Sequence, residues 1–495
     1  MNPSLPLEFL SNSPAPSSIH GYISVRGSVS VFSDSATELA TSSTAFHAPT
    51  EVRDLVAQDL QQLGFTIIAA SKLGFAVAGS PSAYEQLSGG KIETKERLML
   101  AESGETRYVT HIDIVGDHQP TELGVAYAKS TLPNIDGILI ERPRICHGVS
   151  PSPLPPSSSR FHLNVPNDVA RGLNALQAHR AGFRGEGVTV AMPDTGQYQH
   201  PFFIAQGYNV KPTITVVPNT DPSKDPIGHG TGESANIFAI APGAVLQGIR
   251  ASDNGGNLVG AMSGFLKAKE LNPQIITCSW GGNGSYPPRN QPGRFDRAMA
   301  LEIQDTIEQG IVVIFSGGNG QFSIEPQVPG VIAAGGTHMA QDLTLQASNY
   351  SSGYDSPWFP GVRVPTVCGL VGLLPRAQYL MLPVPPGSEI DVAESKVASD
   401  DPITDGTTEN DGWALFSGTS AAAPQLAGVV ALILGAKPGI TPAQVVESLT
   451  KTATDVSTGR CHPRFNHQAT VGSDNATGFG LVNALAAVQY AIANF

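Results

Sequence analysis

The chain has 495 residues, 41% of them hydrophobic and only 14% charged, with 53 glycines and 39 prolines. This composition excludes a disordered chain and suits a compact protein of more than one domain with many tight turns. The formal net charge of −13, with no basic stripe, excludes nucleic acid as a partner.

Cys146, Cys278, Cys368 and Cys461 are scattered without C-x-x-C spacing, so neither a zinc site nor a disulfide framework follows from them. No apolar stretch has the length of a bilayer span, and "MNPSLPLEFLSNSPAPSS" lacks a basic-then-apolar leader. The expectation is a monomer with no membrane partner. The compartment is left unknown, cytoplasmic by default.

Residues 1–18 read as a flexible tail rich in Ser, Pro and Asn. Order begins with "GYISVRGSVSVF", which alternates like a strand, followed by "PTEVRDLVAQDLQQLG" with helical spacing and a glycine stop. "FTIIAAS" and "GFAVAGS" read as strands, "SPSAYEQLSGG" as a short helix opened by proline, and "KIETKERL" as a closing strand. That order, βαββαβ, is a small ferredoxin-like α+β domain. "RYVTHIDIV" and "DGILIERPRI" add strands to it, so it spans residues 19–146. Residues 147–160, containing "GVSPSPLPPSSSR", form a Pro/Ser-rich linker that buries nothing.

From residue 161 to 495 the pattern changes. "GVTVAMPDTG", "AVLQGIRAS", "IITCSWGG", "GIVVIFSGGNG" and "VIAAGGT" are short apolar runs ending in Gly, Ser or Asn. Stretches such as "GAMSGFLKAKEL" and "RFDRAMALEIQDTIEQG" have helical spacing. Short all-apolar strands alternating with helices predict an α/β fold, a parallel sheet with helices on both faces. In such sheets chemistry gathers at the carboxyl ends of the strands.

Four polar residues fall at those ends: Asp194 in "PDTG", His229 in "GHGTGES", Asn319 in "SGGNG" and Ser420 in "SGTSAAAP". Taken singly, each has a bland reading as a turn residue, a cap or a satisfied core histidine. A second D-[ST]-G, which a pair of carboxylates sharing a proton would require, is absent. So is a G-x-S-x-G elbow, because Ala421 and Ala422 follow Ser420. The four are informative jointly, by their order and by their places at strand ends and helix starts.

In that order, "MPDTG", "GHGTG", "SGGNG" and "SGTSAAAP" resemble the subtilisin (subtilase) family of serine peptidases, over about residues 161–495. The resemblance implies that Ser420 is the nucleophile and His229 the general base and acid. Asp194 is then the orienting carboxylate and Asn319 the side-chain donor of the oxyanion hole. Chemistry supports the roles: a serine hydroxyl needs an imidazole to take its proton, and the charged ring needs a carboxylate. Ser279, Trp280 and Gly281 resemble the family's substrate-binding strand, and Gly255 and Gly256 the opposite wall. Trp280 reads equally well as a core aromatic. With no acid visibly placed for a basic residue before the scissile bond, an apolar or broad preference is expected there.

The βαββαβ region resembles the family's propeptide, so the partners expected are a polypeptide substrate and the chain's own N-terminal domain as intramolecular inhibitor. Cleavage between His147 and His162 would release the enzyme. No cofactor and no metal are assigned; calcium is common in the family, but its ligands are unknown here. The acidic run Ser399–Gly412 reads as a solvated turn, and "CHPRFNH" lacks a fourth ligand.

Three departures stand out. Gly232 and Glu233 follow the histidine where the family has a second histidine and an apolar residue, and Glu233 bears on the basicity of His229. Pro193 implies that strand pairing stops at Asp194. Residues from about Leu370 to Asp411 form a Pro-rich insertion apolar enough to pack as a lid or groove wall. Pro424 is expected in a first helical turn. Two alternatives use the same fold: a peptide ligase or macrocyclase with the same triad, and a non-catalytic binding protein.

Overall fold

The structure, a computed structural model, describes residues 9–10, 14–32, 42–100, 106–146, 161–288, 291–375, 377–396, 406–407 and 409–495. The 147–160 linker and most of the acidic run 399–412 lie outside them.

The N-terminal domain is built on an antiparallel sheet ordered Thr66–Ala70, Gly74–Gly79, Ile19–Val25, Ile135–Ile140, Val125–Ala126. The period of two sends Ile23, Phe75, Val77, Ile138 and Ile140 to one face, under the helices Thr50–Gln62 and Pro81–Ser88. Tyr22, Ala76 and Leu139 go to the other face and join the core of the large domain. Burial on both faces explains which segment takes the fourth place in the sheet. "KIETKERL" does not take it: Lys91–Leu100 instead pairs along its length with Thr106–Val115 in a separate hairpin. Its alternating charges could not be covered on both sides, whereas "IDGILI" at Ile135–Ile140 is buried throughout. Within the tail, Phe9–Leu10 pairs with Lys95 and Glu96 of that hairpin.

In the large domain the parallel strands lie in the order Val245–Arg250, Thr189–Asp194, Ile275–Cys278, Val312–Ser316, Ile332–Met339, Val367–Leu370. Helices His229–Ile240, Thr419–Ala436, Pro442–Thr452 and Ala484–Asn494 contribute to the core on one face, and Ala261–Glu270 and Arg294–Glu308 to that on the other. Thr419–Ala436 is 18 residues long and apolar enough to cross a membrane by length and composition, contrary to expectation, yet 89% of it is buried within the protein. It crosses the middle of the sheet as a core helix.

Pro193 ends pairing on one side only. Toward Ile275–Cys278 the register stops at Ala191, whereas toward Val245–Arg250 it runs through Pro193 to Asp194. A missing N–H disturbs only the neighbour that would have received it.

The insertion is structured where it is described. Leu380–Pro383 pairs antiparallel with Trp413–Phe416 and parallel with Leu163–Asn164. The helix Glu389–Ser395 docks on the loop before His229, with Glu389 and Ile390 N–H donating to the Pro226 and Ile227 carbonyls at 3.0 Å. This sheet explains Gly232. A Cβ there would sit 2.4 Å from Phe416 Cζ, so the ring occupies the space that a side chain would need.

The two domains share one apolar core and a polar seam. Glu302 accepts from Tyr22 Oη and Ser71 Oγ at 2.6 Å and pairs with Lys269 at 2.7 Å, and His47 meets Asp305 at 2.7 Å. Glu141 of the N-terminal domain caps the Ala261–Glu270 helix, accepting from Met262 and Ser263 N–H at 3.0 and 3.1 Å and from Ser263 Oγ.

Gly232→Ala is expected to destabilise the protein by about 1–3 kcal/mol through overpacking against Phe416. Thermal unfolding checks this, and Phe416→Leu in the same chain should recover most of the loss.

Candidate active site

Asp194 closes its strand with its carbonyl held by Ala251 N–H at 2.9 Å. Its Oδ1 accepts from Thr195 N–H and from His229 Nδ1, both at 2.7 Å, and both residues are fully buried. An ionised carboxylate only accepts, so Nδ1 carries the ring proton and Nε2 presents the lone pair.

His229 can approach so closely because of the glycines around it. Gly228 has φ +92°, the left-handed region that favours glycine, and a Cβ at Gly230 would stand 2.2 Å from the Gly196 carbonyl. A glycine N-cap has no side chain to hold the helix start. Asp225 does so instead: Oδ2 accepts from Thr231 N–H and Oγ1 at 2.8 and 2.7 Å, and Oδ1 from Gly228 N–H at 3.0 Å. The same Oδ1 accepts from Thr195 Oγ1 at 2.8 Å, tying the His229 helix to the Asp194 strand end. Sequence reading missed Asp225; an acid three residues before a glycine cap was the available clue. Glu233, one turn beyond His229, is also buried, with Oε1 3.9 Å from Nε2 and Oε2 accepting from Asn236 Nδ2 at 3.0 Å. It faces the nitrogen on which positive charge would develop. Burial, reinforced by Asp194, pushes the neighbouring Cys278 thiol up and keeps it protonated.

Ser420 is the second residue of the Thr419–Ala436 helix, so its N–H belongs to the first turn, where no earlier helical carbonyl takes it. Pro424 lies inside this helix rather than in its first turn, four residues after Ser420. Having no N–H, it leaves the Ser420 carbonyl without its ladder donor. Ser279 Oγ supplies one at 2.8 Å, and Ser420 Oγ in return donates to the Ser279 carbonyl at 2.9 Å. Asn319 closes the third side: Oδ1 accepts from Thr419 N–H at 2.9 Å and Thr419 Oγ1 at 3.0 Å. Two donors on Oδ1 fix the amide orientation, so Nδ2 is the atom that faces other acceptors.

The side chain and the backbone of Trp280 have different partners. Its side chain is core, donating from Nε1 to the Pro193 carbonyl at 2.7 Å and standing edge-on to Phe315. Its backbone is an edge, and here the structure adds what the sequence did not reveal. Cys146 pairs antiparallel with Trp280 and Ile145 with Gly281, while Arg144 bridges to Leu258 on the far side. Leu258 follows the turn Asp253–Asn257, where Asp253 Oδ1 accepts from Gly255 and Asn257 N–H at 2.9 Å. The end of the N-terminal domain thus runs between Trp280–Gly281 on one side and Leu258 on the other, in the direction of Ser279, whose Oγ donates to the Ser420 carbonyl.

The model of the subtilase family matches residues 185–480, which hold every large-domain residue named above as a candidate. An alkaline protease of Alkalihalobacillus alcalophilus is 24% identical over 451 residues, covering 86% of this chain and 98% of that protein. Subtilisin Savinase of Lederbergia lenta is 26% identical over 341 residues, covering 66% of this chain and 99% of that protein. The crystal structure of fervidolysin from Fervidobacterium pennivorans superposes with a TM-score of 0.50 at 19% identity, covering 95% of this chain and 61% of that one. On the family match, which takes in more than half of its length, this chain belongs to the subtilase family of serine-type endopeptidases.

Proposed function

We propose that this serine-type endopeptidase cleaves peptide bonds through an acyl-enzyme on Ser420, and that it is made as a self-inhibited zymogen. What carries the first part is the buried 2.7 Å contact from His229 Nδ1 to Asp194, which leaves Nε2 as the base. Ser420 Oγ exchanges its bond to the Ser279 carbonyl for one to Nε2 and attacks the substrate carbonyl as the ring takes its proton. Asp194 balances the imidazolium, with Glu233 on the ring's other side. The oxyanion forms against Asn319 Nδ2 and the Ser420 N–H, and the ring then returns its proton to the leaving amine.

The second part rests on the strand Ile145–Cys146 lying between the groove walls, bound as an extended peptide substrate would be. The match to the alkaline protease covers 86% of this chain and so reaches into the N-terminal domain. Cleavage between His147 and His162 would leave this strand in place as a bound product. Among the relatives, those named above are proteases and subtilisins, and no observation favours a ligase or a scaffold.

In full-length protein, the wild type should lose its first ~150 residues, whereas Ser420→Ala should keep its mass of 51.7 kDa on intact-mass measurement. A serine-directed phosphonate should label the wild type alone; a wild type that neither processes nor labels would refute the proposal. Asn319→Ala should lower kcat by about 10²–10³ with little change in KM, the magnitude measured in subtilisin itself for this donor. Release should depend on pH through Glu141, whose carboxyl burial pushes up to about 7 in the docked state. A group with a raised docked pKa weakens docking as pH rises from the ordinary carboxylate range to about 7. The cleaved domain should therefore co-elute with the enzyme more completely at pH 5 than at pH 7.5, and Glu141→Gln should flatten that difference.

A further inference from the structure

Glu325 is a carboxylate with no exposed surface, in the Glu325–Gln327 turn beside the groove, and the triad chemistry does not use it. One oxygen accepts from Gly282 N–H at 3.3 Å. The other lies 3.2 Å from Nη1 of Arg144, its one ion-pair partner among the described residues. The Arg144 side chain is only 6% exposed, with its guanidinium over the Phe295 ring at 4.9 Å from the centroid. Arg144 is the residue bridged to Leu258, two places before the residue paired with Trp280.

We propose that the groove contains a subsite for an arginine side chain, formed by Glu325 and the face of Phe295. Polypeptides carrying arginine at the place of Arg144 are then the preferred substrates. The inference deepens the peptidase reading and rests on residues 144–146 occupying the substrate groove. A buried carboxylate selects strongly, because a neutral side chain in its place leaves the charge desolvated and unpaired. The ring adds a second criterion, since a planar guanidinium stacks on it and pairs with the carboxylate at once, which a lysine ammonium does less well. The position is distinct from the residue before the scissile bond, for which the sequence suggests an apolar or broad preference.

The test uses enzyme obtained from the full chain and quenched peptides with the sequence of residues 140–152. Cys146→Ser is present throughout, and position 144 is Arg, Lys, Leu or Glu. The expected result is kcat/KM for the arginine peptide at least tenfold above the leucine peptide, with lysine between them. Glu325→Gln should bring the arginine-to-leucine ratio within threefold, and Glu325→Arg should favour the glutamate peptide. A ratio near one in unaltered enzyme that cleaves both peptides overturns the subsite while the groove reading stands; this arm needs no variant to fold. If the enzyme degrades casein but neither cleaves nor is inhibited by any of the peptides, the groove reading falls and the subsite with it. A chain that degrades neither casein nor peptides removes the peptidase reading and all that depends on it.

Discussion

The start of the Thr419–Ala436 helix is buried, and burial obliges each of its polar groups to find a partner inside the protein. The partners come from two different strand ends. Asn319 takes the Thr419 N–H, Gly318 N–H donates to Thr419 Oγ1, and Ser279 Oγ takes the carbonyl that Pro424 cannot serve. A helix that long and apolar would be anchored by hydrophobicity alone but free to slide along its axis. These few hydrogen bonds set its axial position, and with it the place of Ser420. The position of Ser420 here follows from satisfying a buried helix terminus.

His229 is placed by the same logic with different groups. Its helix begins on a glycine that cannot cap, so Asp225 reaches in from the preceding loop and also holds Thr195, next to Asp194. His229 and Asp194 are thereby referenced to one carboxylate. The insertion adds a wall: its helix hydrogen-bonds the loop between Asp225 and His229, and Phe416 fills the place of a side chain at Gly232. The departure at Gly232 and the insertion are therefore one packing solution rather than two oddities.

The sequence displays the parallel sheet and the four strand-end residues clearly, because polar residues that interrupt all-apolar runs have few structural reasons to be there. It displays the small domain's class as well, but not its fourth strand. "KIETKERL" and "IDGILI" both read as strands, and only a distant partner, the doubly buried Ile19–Val25, decides between them. The one-sided effect of Pro193 was hidden because a sequence does not say which neighbour receives an N–H. The side chain of Trp280 packs in the core while its backbone pairs with Cys146, a division that residue-level reading treats as one. Glu325, a lone acid in "SIEPQ", carries no local pattern at all; its meaning comes from a residue 181 positions earlier in the chain.

On the zymogen reading, two buried carboxylates of the large domain, Glu302 and Glu325, fare differently when the N-terminal domain leaves. At Glu302 the N-terminal domain contributes only hydroxyls, from Tyr22 and Ser71, while the compensating cation, Lys269, belongs to the large domain. Departure there would exchange neutral donors for water and leave Glu302 with its cation, which it shares with Asp305 at 2.6 Å once His47 has gone. At Glu325 the departing chain takes the cation with it. On that reading, maturation leaves one carboxylate with its counter-charge in place and another hungry for positive charge.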